Sequence, residues 1–444
     1  MGMGKTIQVI AVLLKLQENK ELTKPALVVC PASVTLNWRK EIAKFAPGLR
    51  SELYCGNKRE MLPGIDVWIT TYGTVRSDLE LLVEREWSVL IADEAQNIKN
   101  AEADQSKAVS QLKSVYKIAV SGTPVENRVM ELWSLFNMLM PGYLGRRKTF
   151  HERVAVPIER FNDENKTRLL RSAVSPFLLR RIKTDKNVIK DLPDKIVRDE
   201  YATLKPEQAV LYKSVVDTAV EEIENSEGIK RRGKVLWLIT ALKQICDHPV
   251  LFTKTGKPLP THSGKTEAVF RLLEGILETG KKVLVFTQYR EMGRMLVEMI
   301  QEKTELIPLF FHGGVDPKQR HKLIDDFQED PYCPLMIITL KAGGTGINLT
   351  AATHVIHYDL WWNPAVENQA TDRTYRIGQK ACVTAHRLLT QDTFEERINE
   401  MLQKKTQLSE TIVSAGEHWI TEMNNQEIRN LFSLTGNRTE EPPS

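Results

Sequence analysis

Residues 87–97 read Trp87-Ser88-Val89-Leu90-Ile91-Ala92-Asp93-Glu94-Ala95-Gln96-Asn97. The apolar residues of this stretch, with β-formers among them, stop abruptly at two adjacent carboxylates. The pattern predicts a buried strand of a parallel sheet whose carboxyl end opens into a crevice. Parallel sheets bind their ligands at that end. We therefore expect the two acids to face a ligand.

Two neighbouring acids at a strand end suit a nucleoside triphosphate site. One can hold Mg²⁺ through its water shell while the other orients or deprotonates the attacking water. We assign the metal to Asp93 and the water to Glu94. The alternative is a helix cap, because acidic residues favour the first turn of a helix. The pair alone does not decide between a nucleotide site and a helix cap. Three further features must be sought elsewhere in the chain: a phosphate-binding loop (the phosphate cradle), a basic side chain that reaches the phosphate, and a surface that binds a polymer.

Size and composition set broad limits. A chain of 444 residues with 42% hydrophobic content favours two or three domains. The formal net charge of +4 permits a nucleic-acid partner without requiring one. Five cysteines without a C-x-x-C pair predict a reducing compartment and no zinc framework. No apolar run approaches the roughly 18 residues that span a bilayer, so we expect a soluble protein without a membrane partner.

The start of the chain supplies the phosphate cradle. It reads Gly2-Met3-Gly4-Lys5-Thr6 and continues into an apolar run, which predicts a glycine loop opening into a helix. In that geometry Lys5 reaches the β- and γ-phosphates and Thr6 ligates Mg²⁺. The full phosphate-loop pattern needs a glycine before residue 1, and the strand that should precede the loop is missing. Together with the acid pair, the motif nevertheless favours a nucleotide site.

Further strands are predicted at residues 26–31, 67–72 and 115–120, and they alternate with helices as in a doubly wound α/β lobe. Hydroxyl groups lie at the ends of two of these strands, within the strand at residues 70–72 and just after the strand at 121–123. Such groups either bind backbone phosphates or cap the next helices, and capping is favoured from the pattern alone.

The pattern changes to long charged helices from 144 to about 262, with a mobile loop expected at 225–234. A second α/β series then predicts strands at 282–288, 309–314, 335–340 and 354–359. Two sheets of the same type predict a bilobed enzyme with a cleft between the lobes.

Two features of the second series fit a phosphate ligand. The glycine-rich turn at 341–348, which includes Gly346, allows close approach of the backbone to a polyanion or to the other lobe. Gln369, Arg373 and Arg376 follow at spacings of four and three, which predicts that one helical face presents all three. The arginines could form a surface ladder of salt bridges. In a bilobed chain they fit better as fingers that reach a γ-phosphate.

The ordered motifs resemble the Swi/Snf family of DNA-dependent ATPases within the superfamily 2 helicases. Each motif is weak alone, whereas the ordered set is specific. In chain order the motifs are Gly2-Met3-Gly4-Lys5-Thr6, Cys30-Pro31 with Asn37-Trp38, Asp93-Glu94-Ala95-Gln96, Ser121-Gly122-Thr123-Pro124 with Glu126-Asn127, Pro176-Phe177 with Arg180-Arg181, Cys246 to Pro249, Ser263-Gly264-Lys265, His312-Gly313-Gly314, Gly343-Gly344-Thr345-Gly346 with Asn348-Leu349, Trp361-Trp362-Asn363-Pro364, and Gln369 to Gln379.

The resemblance implies an α/β fold of two RecA-like, doubly wound parallel-sheet lobes with helical insertions between them. It implies ATP and Mg²⁺ in the cleft, double-stranded DNA gripped across both lobes, and movement along DNA without strand separation. The implied site residues are Gly2, Met3, Gly4, Lys5, Thr6 and Gly346 for the nucleotide, Thr6 and Asp93 for the metal, Asp93, Glu94, Gln369, Arg373 and Arg376 for catalysis, Ser121 and Thr123 for coupling, and Asn37, Trp38, Thr71, Lys265, Thr339 and Trp361 for DNA.

The implied domains are a first lobe at 1–143, helical insertions at 144–262, a second lobe at 263–392 and bracing helices with a tail at 393–444. We expect a monomer that acts on double-stranded DNA and on a DNA-bound protein target. Gln96 occupies a position where remodellers commonly carry histidine, which favours a bacterial cytoplasmic, nucleoid-associated protein.

The chain departs from the family at its start, because the adenine-recognition segment and the first strand are absent. A fragment of a longer protein, a misassigned start and a loss of activity each explain this departure. No other catalytic position is degraded, so we expect a fragment. A strand-separating helicase and an ATPase-inactive DNA-binding fragment are the alternative functions.

Overall fold

The computed structural model describes residues 4–56, 59–122, 129–161, 163–179, 192–304, 306–343, 347–361, 364–376, 378–408, 420–421 and 423–434. The chain forms two compact units. The first lobe comprises Met1–Asp191 with Thr345–Ile347, and the second comprises Leu192–Gly344 with Asn348–Ser444. Within the described residues, no helix is both long and apolar enough to cross a bilayer.

The first lobe is built on a parallel sheet of five described strands in the order β2-β3-β1-β4-β5. The strands are β1 Ala26–Cys30, β2 Ser51–Tyr54, β3 Val67–Thr71, β4 Trp87–Asp93 and β5 Ser114–Val120. Every residue of β4 is buried, as its apolar sequence predicts. Alternate side chains point to opposite faces of a strand. Accordingly, Leu90 and Ala92 join the apolar core on one face and Val89 and Ile91 the core on the other.

Helices cover both faces of this sheet and extend beyond it. They are α1 Lys5–Glu18, α2 Thr35–Phe45, α3 Tyr72–Ser77, α4 Leu79–Val83, α5 Asp104–Gln111, α6 Val129–Leu139, α7 Arg147–Phe150, α8 Val156–Phe161 and α9 Glu164–Val174. Helices α1 and α2 pack against the face that carries Val89 and Ile91, since Ile10 and Ile42 belong to the same core.

The second lobe contains a parallel sheet of six described strands in the order β6-β11-β10-β7-β9-β8. The strands are β6 Lys195–Ala202, β7 Lys282–Thr287, β8 Leu309–Phe311, β9 Leu335–Thr339, β10 Ala352–His357 and β11 Val383–Thr390. The prediction of an α/β fold with two parallel-sheet lobes is confirmed.

Two strands of the second sheet, β6 and β11, were not predicted. They pair in parallel along their whole length, from Lys195 opposite Val383 to Ala202 opposite Thr390. Strand β6 lies at the edge of the sheet, and its charged, largely exposed sequence hides the strand signal. The segment expected to form only charged helices therefore contributes a strand, while the four-part domain division remains a prediction.

The helices of the second lobe are α10 Pro206–Glu224, α11 Gly228–Asp247, α12 Pro249–Thr253, α13 Gly264–Leu277, α14 Arg290–Thr304, α15 Pro317–Glu329, α16 Leu340–Gly343, α17 Pro364–Thr371, α18 Phe394–Leu408 and α19 Asn425–Phe432. The prediction of a mobile loop at 225–234 is wrong, because helix α11 begins at Gly228. Its buried residues Val235 and Leu238 share an apolar core with Phe394 of α18 and Phe432 of α19, so tertiary packing overrides the charged local sequence.

Candidate functional site

The acid pair lies where the sequence places it, at the carboxyl end of β4. Asp93 is the last residue of the strand and is buried. Its Oδ2 accepts a hydrogen bond from the indole Nε1 of Trp38 at 2.8 Å, and its Oδ1 accepts one from the backbone N of Glu94 at 2.9 Å. The Tyr72 hydroxyl donates to its carbonyl oxygen at 2.7 Å. The carboxylate is thus held in one orientation with lone pairs to spare for a metal-bound water.

The electrostatic environment of Asp93 is that of a buried acid next to another acid. Burial raises the pKa of Asp93 to about 6, and the negative charge of Glu94 acts in the same direction. The hydrogen bond from Trp38 and the positive charge of Lys5 lower the pKa of Asp93. A cation placed beside this carboxylate would favour its ionised form. The donor set therefore fits a magnesium ligand.

Glu94 turns the chain sharply after the strand. It has φ +49° and ψ +53°, a left-handed conformation that costs a non-glycine residue roughly 1–2 kcal/mol. Asn97 holds this turn, since its backbone N and its Nδ2 both donate to the Glu94 carbonyl oxygen, at 2.9 Å and 2.7 Å. Strained backbone of this kind is typical of functional sites.

A chain of hydrogen bonds runs from Glu94 to the end of the neighbouring strand. Gln96 donates from Nε2 to Oε2 of Glu94 at 2.7 Å, and its Oε1 accepts from Oγ of Ser121 at 2.9 Å. Ser121 follows directly after β5. The predicted coupling serine is therefore connected to the predicted catalytic acid through one amide. The role of Gln96 was missed from the sequence, although its place just beyond a strand end adjacent to β5 was the available signal.

The phosphate loop ends in the geometry that its motif predicts. Gly4 has φ +68° and caps α1, whose first residue is Lys5. No acidic side chain lies in the first turn of α1, so its free N–H groups and helix dipole favour an anion. Thr6 lies in the same turn and is half-buried. Gly2 and Met3 lie outside the described residues.

A resident metal at this site would be held by few protein atoms. Among the residues that the structure describes, no group of three or more His, Cys, Asp and Glu side chains could hold a metal ion. Magnesium commonly keeps several waters and takes one or two protein ligands plus substrate phosphates. The Asp93 carboxylate and the Thr6 hydroxyl fit that mode of binding.

The three residues predicted to share one helical face do not share a helix. Helix α17 ends at Thr371, so it includes Gln369 but neither arginine. The backbone tightens after Thr371, and the Arg373 carbonyl oxygen accepts from the N of Leu349 at 3.0 Å instead of continuing the helix. Arg373 is 2% exposed, whereas Gln369 and Arg376 are half-buried. The catalytic roles of these three residues remain predictions.

The structure contradicts a direct DNA contact by the Lys265 ammonium group. Its Nζ lies 3.0 Å from Oδ1 of Asp247 and 2.8 Å from Oε1 of Glu395, with the Lys265 side chain fully buried. The preceding Gly264 leaves no room for a Cβ against the carbonyl oxygen of Thr203. The Gly264-Lys265 part of the Ser263-Gly264-Lys265 motif is therefore tightly packed in the interior of this lobe. Burial of a lysine is tolerated because its charge is paired.

A second correction concerns Trp38. Its ring is 1% exposed and its indole N–H is bonded to Asp93, so a direct contact between this ring and DNA is contradicted. Thr71 caps α3, since its hydroxyl accepts from the N of Thr74 at 3.0 Å, in agreement with the capping alternative.

The other residues assigned to DNA or to coupling differ in how deeply they are buried and in whether the structure describes them. Asn37 is half-buried and donates to Glu41 at 3.1 Å, Thr339 is buried at the end of β9, and Trp361 is half-buried. Their contacts with DNA remain predictions. The assignments of Thr123 to coupling and of Gly346 to nucleotide binding fall outside the described residues.

The chain is similar to proteins of the SNF2-related and helicase families. The family model of the SNF2-related domain matches residues 1–251, and that of the helicase conserved C-terminal domain matches residues 264–378. The solved "Sulfolobus solfataricus SWI2/SNF2 ATPase core in complex with dsDNA" is 41% identical, with a TM-score of 0.51, over 98% of this chain and 92% of that one.

Two curated relatives are much longer than this chain. The Bacillus subtilis protein YwqA, whose name describes an ATP-dependent helicase/translocase, is 44% identical over 98% of this chain and 48% of its own length. The TATA-binding protein-associated factor MOT1 of Saccharomyces cerevisiae is 31% identical over 97% of this chain and 27% of its own length. The chain therefore spans about half of one relative and about a quarter of the other.

Proposed function

The chain belongs to the SNF2-related family, the Swi/Snf ATPases that its motifs resemble, and from that premise we propose that it hydrolyses ATP and couples the hydrolysis to movement along double-stranded DNA. The family resemblance stated from the sequence is thereby confirmed. The single observation that carries the proposal is the first-lobe constellation: a capped helix start at Lys5 whose charge acts on the buried Asp93, beside the strained Glu94.

Each residue of this constellation has a distinct proposed role. The N-terminal turn of α1 and the Lys5 ammonium group bind the β- and γ-phosphates. Thr6 and Asp93 hold Mg²⁺, which when bound neutralises charge that develops on the phosphates. Glu94 orients the attacking water and accepts its proton. Glu94 adopts a left-handed conformation directly after the strand, and Gln96 holds one of its carboxylate oxygens through a hydrogen bond.

Coupling is proposed to use the hydrogen-bond chain from Glu94 through Gln96 to Ser121. Ser121 begins the segment that carries the Ser-Gly-Thr-Pro motif, so a shift of that segment would change the support of the catalytic carboxylate. Arg373 and Arg376 are proposed to stabilise charge on the γ-phosphate during hydrolysis.

Double-stranded DNA is the proposed track, and a protein bound to DNA is the proposed target. The solved Sulfolobus solfataricus ATPase core is a complex with double-stranded DNA, and MOT1 is named a TATA-binding protein-associated factor. These partners belong to the relatives, and the similarity supports double-stranded DNA and a DNA-bound protein as partners of this chain.

Phosphate release with and without duplex DNA tests the proposal. We expect duplex DNA to stimulate the wild-type protein, and Glu94→Gln to lower the rate by about 10²- to 10⁴-fold, the usual contribution of a general base, while nucleotide binding remains. Equal rates with and without duplex would reject the DNA-coupled function. Displacement of a strand from a forked duplex would favour the strand-separating helicase instead.

A further inference from the structure

Trp38 contributes the side-chain hydrogen bond to the proposed metal ligand. It lies on α2, 55 residues before Asp93 in the sequence, and its Nε1 donates to Asp93 Oδ2 at 2.8 Å. The ring is 1% exposed, so water does not compete for this bond. A hydrogen bond between an N–H group and a carboxylate is among the stronger types in proteins.

The two oxygens of Asp93 are held by different kinds of donor. Oδ1 accepts from the backbone N of Glu94, which the chain itself places there, whereas Oδ2 depends on a side chain from another element. The terminal torsion of an aspartate is broad, so one donor alone leaves the carboxylate free to rotate. The indole N–H therefore fixes the direction of the lone pairs that remain for a metal-bound water.

The Trp38 side chain belongs to the same apolar core as the helix that begins at the phosphate loop. Trp38 shares one apolar core with Val9, Ile10 and Leu13 of α1. Helix α1 starts at Lys5 and carries Thr6 in its first turn. The same side chain thus shares a core with the helix that carries the proposed phosphate-binding residues, and it donates to the carboxylate that would share the metal with them.

We infer that Trp38 is a positioning residue of the nucleotide site, which sets the orientation of Asp93 and the placement of α1 so that Asp93 and Thr6 converge on one Mg²⁺. This inference deepens the proposed function and rests on it. Partners of metal ligands commonly matter in this way, and their removal costs about 10- to 100-fold in metal affinity. DNA is not required for this role.

The test compares two tryptophan variants of the full chain. Trp38→Phe keeps an aromatic ring in the core and removes the N–H group. Trp87→Phe is the matched control, because Trp87 is also buried in the first lobe and also donates from its Nε1. Trp87 lies at the opposite end of β4 from Asp93, and its acceptor is the carbonyl oxygen of Leu82 at 3.2 Å. Both variants lose the pyrrole part of the indole and one buried hydrogen bond. Only the first loses a bond to the proposed metal ligand.

The first measurement is the Mg²⁺ concentration at which a fluorescent ADP analogue is half-bound. We expect Trp38→Phe to raise this concentration about 10-fold while binding in excess Mg²⁺ is largely restored. We expect Trp87→Phe to leave it at the wild-type value. An unchanged value in Trp38→Phe, or an equal rise in both variants, would overturn the inference.

The second measurement is the indole N–H spectrum of ¹⁵N-tryptophan-labelled protein without metal. The Trp38 resonance is identified by its loss in Trp38→Phe, and it should shift in Asp93→Asn while the Trp87 resonance stays in place. A Trp38 resonance that is unchanged in Asp93→Asn would overturn this inference and leave the proposed function standing. If the wild-type protein binds the nucleotide with no dependence on Mg²⁺, the proposed function fails, and the inference fails with it.

Discussion

The Gln96 side chain donates a 2.7 Å hydrogen bond to the Glu94 carboxylate, and this bond ties the proposed catalytic base to the adjacent strand. The other end of the same amide accepts from Ser121. An amide suits this position because it donates at one end and accepts at the other. A carboxylate at residue 96 would repel Glu94, and an apolar side chain would remove the hydrogen bonds to both Glu94 and Ser121.

Loss of this bridge should slow hydrolysis without preventing nucleotide binding. We expect Gln96→Ala to lower kcat by about 10-fold, the rate equivalent of the roughly 1.5 kcal/mol that a hydrogen bond to a charged group contributes. We expect the KM for ATP to stay within about twofold, because residue 96 is not assigned to the nucleotide. Steady-state kinetics with saturating duplex DNA measures both constants.

Ser121→Ala is the matched variant, since it breaks the far bond of the bridge and leaves the bond between Gln96 and Glu94 in place. We expect a smaller fall in kcat and a lower ratio of DNA-stimulated to basal rate. A stimulation ratio equal to that of the wild type in both variants would show that the bridge does not transmit coupling.

Acid should destabilise the second lobe through His357. This histidine is 1% exposed, and its Nε2 lies 2.9 Å from the Thr371 hydroxyl. Burial lowers the pKa of His357 to about 3, and the nearby charges of Arg387 and Lys195 act in the same direction. Below pH 6.5 the unfolded chain takes up a proton that the folded lobe does not, so the free energy of unfolding falls as the pH falls.

The free energy of unfolding should fall by about 2 kcal/mol between pH 6.5 and pH 5, since each pH unit contributes at most roughly 1.4 kcal/mol. His357→Gln does not titrate at this position and keeps a polar group near Thr371, so its stability should fall by about 2 kcal/mol less over the same range. Urea unfolding followed at several pH values measures the difference. Parallel curves for the two proteins would contradict the prediction.

The parts predicted well from the sequence are those in which local pattern and tertiary environment agree. Strand β4 is apolar because it is buried on both faces, and it ends at a buried carboxylate whose oxygens are held by hydrogen bonds. The capped start of α1 follows from Gly4, which tolerates the left-handed conformation that the turn requires.

The parts that were missed depend on partners far away in the sequence. Lys265 is assigned to DNA by the family resemblance, but Asp247 and Glu395 neutralise its charge in the core. Trp38 belongs to a motif associated with DNA, and only the fold shows that its N–H group meets Asp93. Helix α17 ends before Arg373, whose carbonyl oxygen accepts a backbone bond from Leu349, and spacing gives no signal for either feature.

Arg376 should affect hydrolysis far more than folding. If it stabilises charge on the γ-phosphate, Arg376→Ala should lower kcat by about 10³-fold, the lower end of the range for an arginine finger, with nucleotide binding retained. Arg429→Ala is the control, because Arg429 is an exposed arginine that pairs with Glu224 at 2.6 Å in the same lobe. A fall in kcat of less than about threefold in Arg376→Ala would remove it from the catalytic set.

Lys265 should matter for stability and not for DNA binding. Burial by itself lowers the pKa of Lys265, but the charges of Glu395 and Asp247 more than offset this, so the net pKa lies above the usual value. The ammonium group is therefore charged in the core, and its removal leaves two buried carboxylates without their cation.

We expect Lys265→Met to lower the free energy of unfolding by about 3–5 kcal/mol, as for other broken buried pairs. The control is Lys205→Met, whose pair with Glu267 is about one-third exposed at 2.7 Å and should cost less than about 1 kcal/mol. Because Lys265 cannot reach a phosphate, the salt dependence of duplex binding should be unchanged at a temperature where the variant is folded. A decrease of about one in the slope of log K against log salt would instead restore its predicted role as a DNA contact.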